Sequence, residues 1–185
     1  MSSTLDPRVI RTRRLLTDAV TDLIVSEGYE SITIREIIRR AGVNRSTFYL
    51  HFRDKPDILT QIQDDILKEL TDALEYPTYT YDLAVSEFKL SKKPIESHIA
   101  MFKHIQQYAS LYQKLLNENE FRKRFAQVLI NEVLLFRDNV WEATYMANGA
   151  VGIILFWLEN GRKETVDEMS LWLTQITLFP LGKFE

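Results

Sequence analysis

Apolar residues return every three or four positions from Leu16 through Ala19, Val20, Leu23 and Ile24, which predicts an amphipathic helix. Asp6 followed by Pro7 supplies its cap and first turn, and Gly28 ends it. Thr33 with Glu36 three residues on makes a capping box, ahead of Ile34, Ile37, Ile38 and Ala41 on one face of a short second helix that Gly42 stops. Asn44 caps a third helix, Arg45 to His51, in which Phe48 and Phe52 face inward four residues apart. Asp54 caps a fourth, which tolerates Pro56 in its first turn and runs to about Glu75.

Tyr76 to Tyr81 reads as a loop or bend, and Ser91-Lys92-Lys93-Pro94 as a second interruption. Ile95, Ile99, Phe102 and Ile105 then mark a helix to about Gln107, and Tyr108 to Asn117 a shorter one. Asn117 and Glu120 form a further capping box before the stripe Phe121, Phe125, Val128, Leu129, Val133 and Phe136. Val140 to Asn160 is apolar on nearly every side; Gly161 terminates it, and Thr165 with Glu168 caps a last helix ending near Phe179. No strand of useful length and no internal repeat is visible, so the expected fold is all-α with about nine helices.

A chain of 185 residues can bury a real core as one large domain or two small ones. The absence of cysteine excludes a disulfide framework, a thiol nucleophile and cysteine-ligated metal, and points to the cytosol. The start of the chain holds Arg8, Arg11, Arg13 and Arg14 before an amphipathic stretch, which is not a secretory pattern. The longest uncharged apolar stretch, Ala143 to Leu158, falls short of the roughly 20 residues that span a bilayer, so it is expected to be a buried helix and no membrane is implied.

The net charge of −3 conceals an asymmetry: residues 1–55 sum to +3 and the remainder to −6. Nine of the thirteen arginines lie at or before Arg53. A guanidinium pairs with phosphate or guanine in two-point geometry, so this concentration suggests an anion-binding surface, with a solvated helical face as the plainer alternative.

Thr33 to Phe52 is where chemistry becomes legible. Two short helices joined by a tight turn at Gly42 fit a helix-turn-helix, whose second helix is small enough for the ~12 Å major groove of DNA. With Phe48 and Phe52 packed inward, the helical period turns Arg45, Ser46, Thr47, Tyr49 and His51 to the opposite or flanking faces. Arg45 can reach guanine or phosphate, Ser46 and Thr47 a phosphate or a thymine methyl, and Tyr49 a phosphate oxygen. His51 can contact phosphate or cap its own helix end.

The run Ala41-Gly42-Val43-Asn44-Arg45-Ser46-Thr47-Phe48-Tyr49-Leu50-His51-Phe52, with Thr33 and Ile34 before it and Lys55 and Leu59 after it, resembles the tetracycline-repressor (TetR) family of bacterial transcription regulators. The resemblance implies a three-helix DNA-binding domain from about Arg8 to Asp64 that includes the start of the fourth helix. It also implies DNA contacts at Thr33, Arg45, Thr47, Tyr49, His51 and Lys55, the last beside phosphate at a helix N-terminus. We accordingly assign residues 1–55 to helix-turn-helix DNA binding and 56–185 to a helical ligand-binding and dimerisation domain. Ile38, Asn44 and Pro56 depart from the alanine, serine and acidic residue usual in the family; Asn caps as Ser does, and Ile38 implies altered packing between the second and third helices.

The stretch Ala147-Asn148-Gly149-Ala150-Val151-Gly152-Ile153-Ile154, with Trp157-Leu158-Glu159-Asn160-Gly161 and Glu168-Met169 after it, is similar to the C-terminal domains of regulators related to dihydroxyacetone-kinase operon control. That likeness implies a four-helix homodimer interface from the last two long helices, for which Gly149, Ile153, Ile154, Trp157, Leu171, Thr174 and Leu178 are the candidates. A helix apolar all round must be covered on two sides, which agrees with a dimer, and Gly149 and Gly152 permit close approach. The alternative is a central helix in a monomeric bundle.

In the family this half binds a small inducer. Phe102, Tyr108, Tyr112, Phe125, Phe136, Trp141 and Tyr145 supply aromatic walls for such a pocket, although aromatics at helical spacing also fill cores. His98 and His104 stand six apart, off the zinc spacing, so no metal and no cofactor is expected. Neither a Ser-His-Asp order, an HExxH, a Gly-rich phosphate loop nor paired Glu-x-x-His is found, so an enzyme is not expected. The expected function is a homodimeric repressor on an inverted-repeat DNA operator, released by a small-molecule inducer that the sequence does not identify. The alternative is a coregulator of the same fold that acts through a partner protein, for which Arg45, Thr47, Tyr49 and Lys55 together would serve no purpose.

Overall fold

The computed structural model describes residues 6–74 and 81–179. Among them the chain forms ten α-helices: α1 Pro7–Glu27, α2 Ile34–Ala41, α3 Arg45–His51, α4 Lys55–Leu74, α5 Tyr81–Ser91, α6 Glu96–Gln107, α7 Ala109–Leu115, α8 Asn119–Leu134, α9 Val140–Glu159 and α10 Val166–Leu178. A 3-10 turn, Tyr29–Ser31, follows α1. No strand occurs among the described residues, and no helix there is long and apolar enough to cross a membrane.

Two compact units divide between Ile66 and Leu67, inside α4, instead of at Lys55. The reason is packing. Ile58, Leu59 and Ile62 on the first half of α4 are buried, and Arg13 Nη2 of α1 donates to Gln61 Oε1 at 3.1 Å, so this half belongs to the first unit.

In the first unit α1 packs on α2, and α2 on α3, around Leu16, Val20, Leu23, Ile37 and Phe48. The local signals act where expected. Asp6 accepts from the Arg8 amide, Thr33 and Glu36 make both bonds of a capping box, and Asn44 accepts from the Thr47 amide. Gly42 turns α2 into α3 with φ +66, and its amide and that of Val43 both bond to the Ile38 carbonyl. A Cβ at Gly42 would meet nothing within 4 Å, so the dihedral alone calls for glycine.

In the second unit α8 pairs with α9, and α6 with α10. The core includes Phe102 edge-on to Trp157 at 5.5 Å and Tyr112 edge-on to Phe125 at 5.5 Å. The Trp157 indole donates to the Glu164 carbonyl at 2.9 Å, and the Thr165–Glu168 capping box starts α10.

Three local expectations change. The stretch after the tyrosine-rich segment is helical from Tyr81 onward, so α5 is a tenth helix; the expected end of α4 near Glu75 and the loop at 76–80 lie outside the described residues. Asn117 forms no capping box: its Nδ2 donates back to the Gln113 carbonyl, and Glu118 takes the N-cap of α8 with no side-chain cap hydrogen bond. Helix α8 stops at Leu134, so Phe136 leaves its stripe and is 41% exposed.

Candidate nucleic-acid interface and ligand cavity

Helix α3 is held by one fully buried ring, Phe48, which meets Phe52 at 6.0 Å. With that edge anchored, Arg45, Ser46, Tyr49 and Leu50 are exposed and Thr47 is half-buried. Arg45 Nη2 reaches the Tyr49 hydroxyl, and the guanidinium lies over the Tyr49 ring. Asn44 Oδ1 accepts from the Ser46 hydroxyl at 2.7 Å and from the Thr47 amide and hydroxyl at 2.8 Å each. The side chains at the start of the helix are therefore held together at its N-terminus, where the dipole favours a phosphate.

Three further candidates have structural duties of their own. The Thr33 hydroxyl donates to Glu36 Oε2 at 2.7 Å, and these bonds with Thr33 hold the Glu36 carboxyl below its ordinary range. Lys55 Nζ donates to the Tyr29 carbonyl at 3.0 Å and lies over the Tyr29 ring at 4.3 Å, tying the start of α4 to the 3-10 turn. A longer 3.4 Å contact to the Glu30 carbonyl leaves the ammonium one further proton. His51 is half-buried in the last turn of α3, its ring 6.5 Å from that of Phe52.

The arginine surplus is partly spent on folding. Arg13 stacks 4.9 Å over Phe52, Arg40 pairs with Asp22 at 2.9 Å, and Arg53 with Asp57 at 3.3 Å. Leu50, absent from the expected contacts, is 82% exposed on α3. An apolar side chain there can meet a thymine methyl, and its place two residues from both Phe48 and Phe52 could have identified it.

The second unit contains a cavity of about 260 Å³ between α5, α6, α8, α9 and α10. Met101, Leu129, Ala147, Ala150 and Leu173 line it, with His98, Glu132, Arg137 and Thr177 among its polar groups. His98 Nδ1 is 2.9 Å from the Thr174 hydroxyl, which accepts from the Ile95 amide at 2.9 Å. Burial pulls the His98 pKa down to about 4, so the ring is neutral near pH 7.

Of the seven expected pocket aromatics only Phe136 lines this cavity. Phe102, Tyr112 and Phe125 are fully buried among one another and their neighbours, and burial raises the Tyr112 hydroxyl well above its ordinary value. Tyr108 donates to Glu69 Oε2, and Tyr112 is 3.0 Å from His104 Nε2. Trp141 and Tyr145 are 81% and 73% exposed, so they lie on the outside of α9. Phe102, Tyr112 and Phe125 fill the core, and smaller residues on the facing helices leave the space.

The candidates for a dimer interface divide in the same way. Ile154, Trp157, Thr174 and Leu178 are buried within their own unit and offer no surface to a second chain, which corrects their assignment. Ile153 and Leu171 are half-buried and Gly149 is exposed. Helix α9 instead exposes Trp141, Tyr145, Gly149, Gly152 and Phe156 at spacings of three and four, one continuous stripe along its outer side. Gly149 and Gly152 have nothing within 4 Å of an added Cβ, so none of the described residues uses the gap they leave.

A helix-turn-helix with an exposed polar recognition face, in a chain whose second unit is also helical, is the architecture of a DNA-binding transcription regulator. Residues 16–62 match the model for bacterial regulatory proteins of the tetR family, and residues 92–178 that for a transcriptional regulator C-terminal region. Together these cover well over half of the chain, which belongs to the TetR family of DNA-binding transcription regulators.

The chain is 25% identical to the HTH-type regulator YxbF of Bacillus subtilis over 161 residues, which is 83% of this chain and 41% of that protein. It spans less than two thirds of the length of the curated relatives it matches. The fatty acid degradation regulator FadR of Bacillus halodurans shares the fold, with TM-score 0.67 and 18% identity over 97% of this chain and 98% of that one. So does the dihydroxyacetone kinase operon activator DhaS, with TM-score 0.64 and 17% identity over 91% and 95%.

Proposed function

We propose that the protein is a homodimeric repressor that binds an inverted-repeat operator through α3 and is released when a small molecule fills the cavity of the second unit. The observation that carries this reading is the outward face of α3, where Arg45, Ser46, Thr47, Tyr49 and Leu50 gather opposite a single buried ring. Phosphates position such a helix, and Arg45 and Leu50 can read base edges. Thr33, His51 and Lys55 flank it, Lys55 with one proton left for phosphate. The exposed stripe on α9 serves the second copy, and half-sites about 34 Å apart follow from two such helices. Ligand acts through its different affinities for DNA-competent and incompetent states.

Selection of bound fragments from a random duplex pool tests this directly. A recovered palindrome bound by the dimer supports the reading. Recovery of no preferred sequence, with binding indifferent to salt, would transfer the surface to a protein partner and favour the coregulator alternative.

A further inference from the structure

The cavity carries one polar group whose direction of hydrogen bonding is decided by its neighbours. The Thr174 hydroxyl accepts from the Ile95 amide, and among the described residues its own proton finds one acceptor, His98 Nδ1. An accepting Nδ1 leaves the proton of the neutral ring on Nε2. Among the described residues Nε2 has no bonding partner, yet no buried side-chain nitrogen or oxygen there lacks a hydrogen bond. Nε2 therefore keeps accessible surface, and His98 lines the cavity. A neutral N–H donor facing a mostly apolar space asks for an acceptor.

Charge and size narrow the choice. Glu96 and Glu132 bring negative charge to the lining. Arg137 is already held 3.7 Å over the Tyr81 ring and 3.6 Å from Glu142 Oε1, which leaves little to balance an anion. An apolar cavity of about 150 Å³ suffices for benzene. The 260 Å³ found here then suits a substituted ring of about ten heavy atoms.

Resting on the cavity as the inducer site, we propose that its ligand is a small uncharged molecule, apolar over most of its surface, whose single carbonyl or ether oxygen accepts from His98 Nε2–H. Thr174 and the Ile95 amide act as positioning groups that fix the tautomer.

The isosteric probes para-methylacetophenone, para-cymene and para-toluate, with para-methylbenzylammonium as the cation, separate these requirements by calorimetric titration of the full chain. The ketone should bind about tenfold more tightly than para-cymene, which lacks only the acceptor, and more tightly than either ion. In His98→Phe the ketone should fall to the level of para-cymene. Nitrogen NMR of histidine-labelled wild-type protein reads the tautomer independently, should the variant not fold, and should show Nε2–H with a shift on adding ketone. Equal affinity for ketone and para-cymene, preference for an ion, or a proton on Nδ1 would each overturn the inference. Ketone binding that leaves operator affinity unchanged would overturn the inducer reading alone, and failure of every probe to bind would sink both.

Discussion

Arg45 Nη2 donates to the Tyr49 hydroxyl at 3.2 Å, and the guanidinium carbon stands 5.5 Å from the centre of the Tyr49 ring. One turn of helix thus places a charged fork on an aromatic plate, which limits the rotamers the arginine must give up on meeting DNA. Arg45→Ala should weaken operator binding by about 1 to 3 kcal/mol if the fork reads a base. Tyr49→Phe keeps the plate and should cost less. Fluorescence anisotropy at fixed salt measures both, and an unchanged Arg45→Ala variant would remove this residue from the interface.

Operator affinity should fall linearly with salt on logarithmic axes, by about 0.9 for each phosphate neutralised. Lys55→Ala should make that slope shallower by about one contact. It should also lower the melting temperature, because the Tyr29 carbonyl loses the ammonium donor and keeps the Ile32 amide. A slope identical to wild type would mean that Lys55 only ties α4 to the 3-10 turn.

Asn44 gathers three donors on one oxygen at the start of α3. Asn44→Ala should destabilise the first unit by about 1 kcal/mol and weaken operator binding as well, since Ser46 and Thr47 lose their common acceptor. Asn44→Ser should restore most of both, as followed by thermal melting and anisotropy.

Ile154 and Phe156 sit two residues apart on α9, one with no exposed surface and the other 67% exposed. Ile154→Asp buries a charge without a partner and should cost about 4 kcal/mol or more of folding free energy. Phe156→Asp should change the stability of the single chain by about 0.5 kcal/mol or less while shifting sedimentation toward monomer. Dimer intact in Phe156→Asp would place the partner surface elsewhere.

His98 has its pKa lowered from 6.5 to about 4 by burial, so the unfolded chain takes up the proton first as pH falls. The stability this residue contributes is complete above pH 6.5 and is lost progressively down to about pH 4, by about 3 kcal/mol at most. Melting of wild type against His98→Gln across that window should show the wild type losing stability more steeply. Parallel curves would mean that the ring is solvated in the folded state.

How much of this was legible in order along the chain depends on the range of the interaction involved. The caps at Asp6, Thr33, Asn44 and Thr165 and the turn at Gly42 are bonds between residues two to four apart, so side-chain type and spacing determined them, and with them the helix-turn-helix and the outward set on α3. Asn117 had the same spacing to Glu120 and failed, because its side chain found the Gln113 carbonyl behind it instead. Only the tertiary structure decided that Trp157 is buried while Phe156 is exposed, that Lys55 reaches Tyr29, and that the cavity is walled chiefly by small and aliphatic residues. A helix as evenly apolar as α9 carries no contrast by which its own sequence could choose an inner face. That choice falls to the helices packed against it, residues far away in the chain.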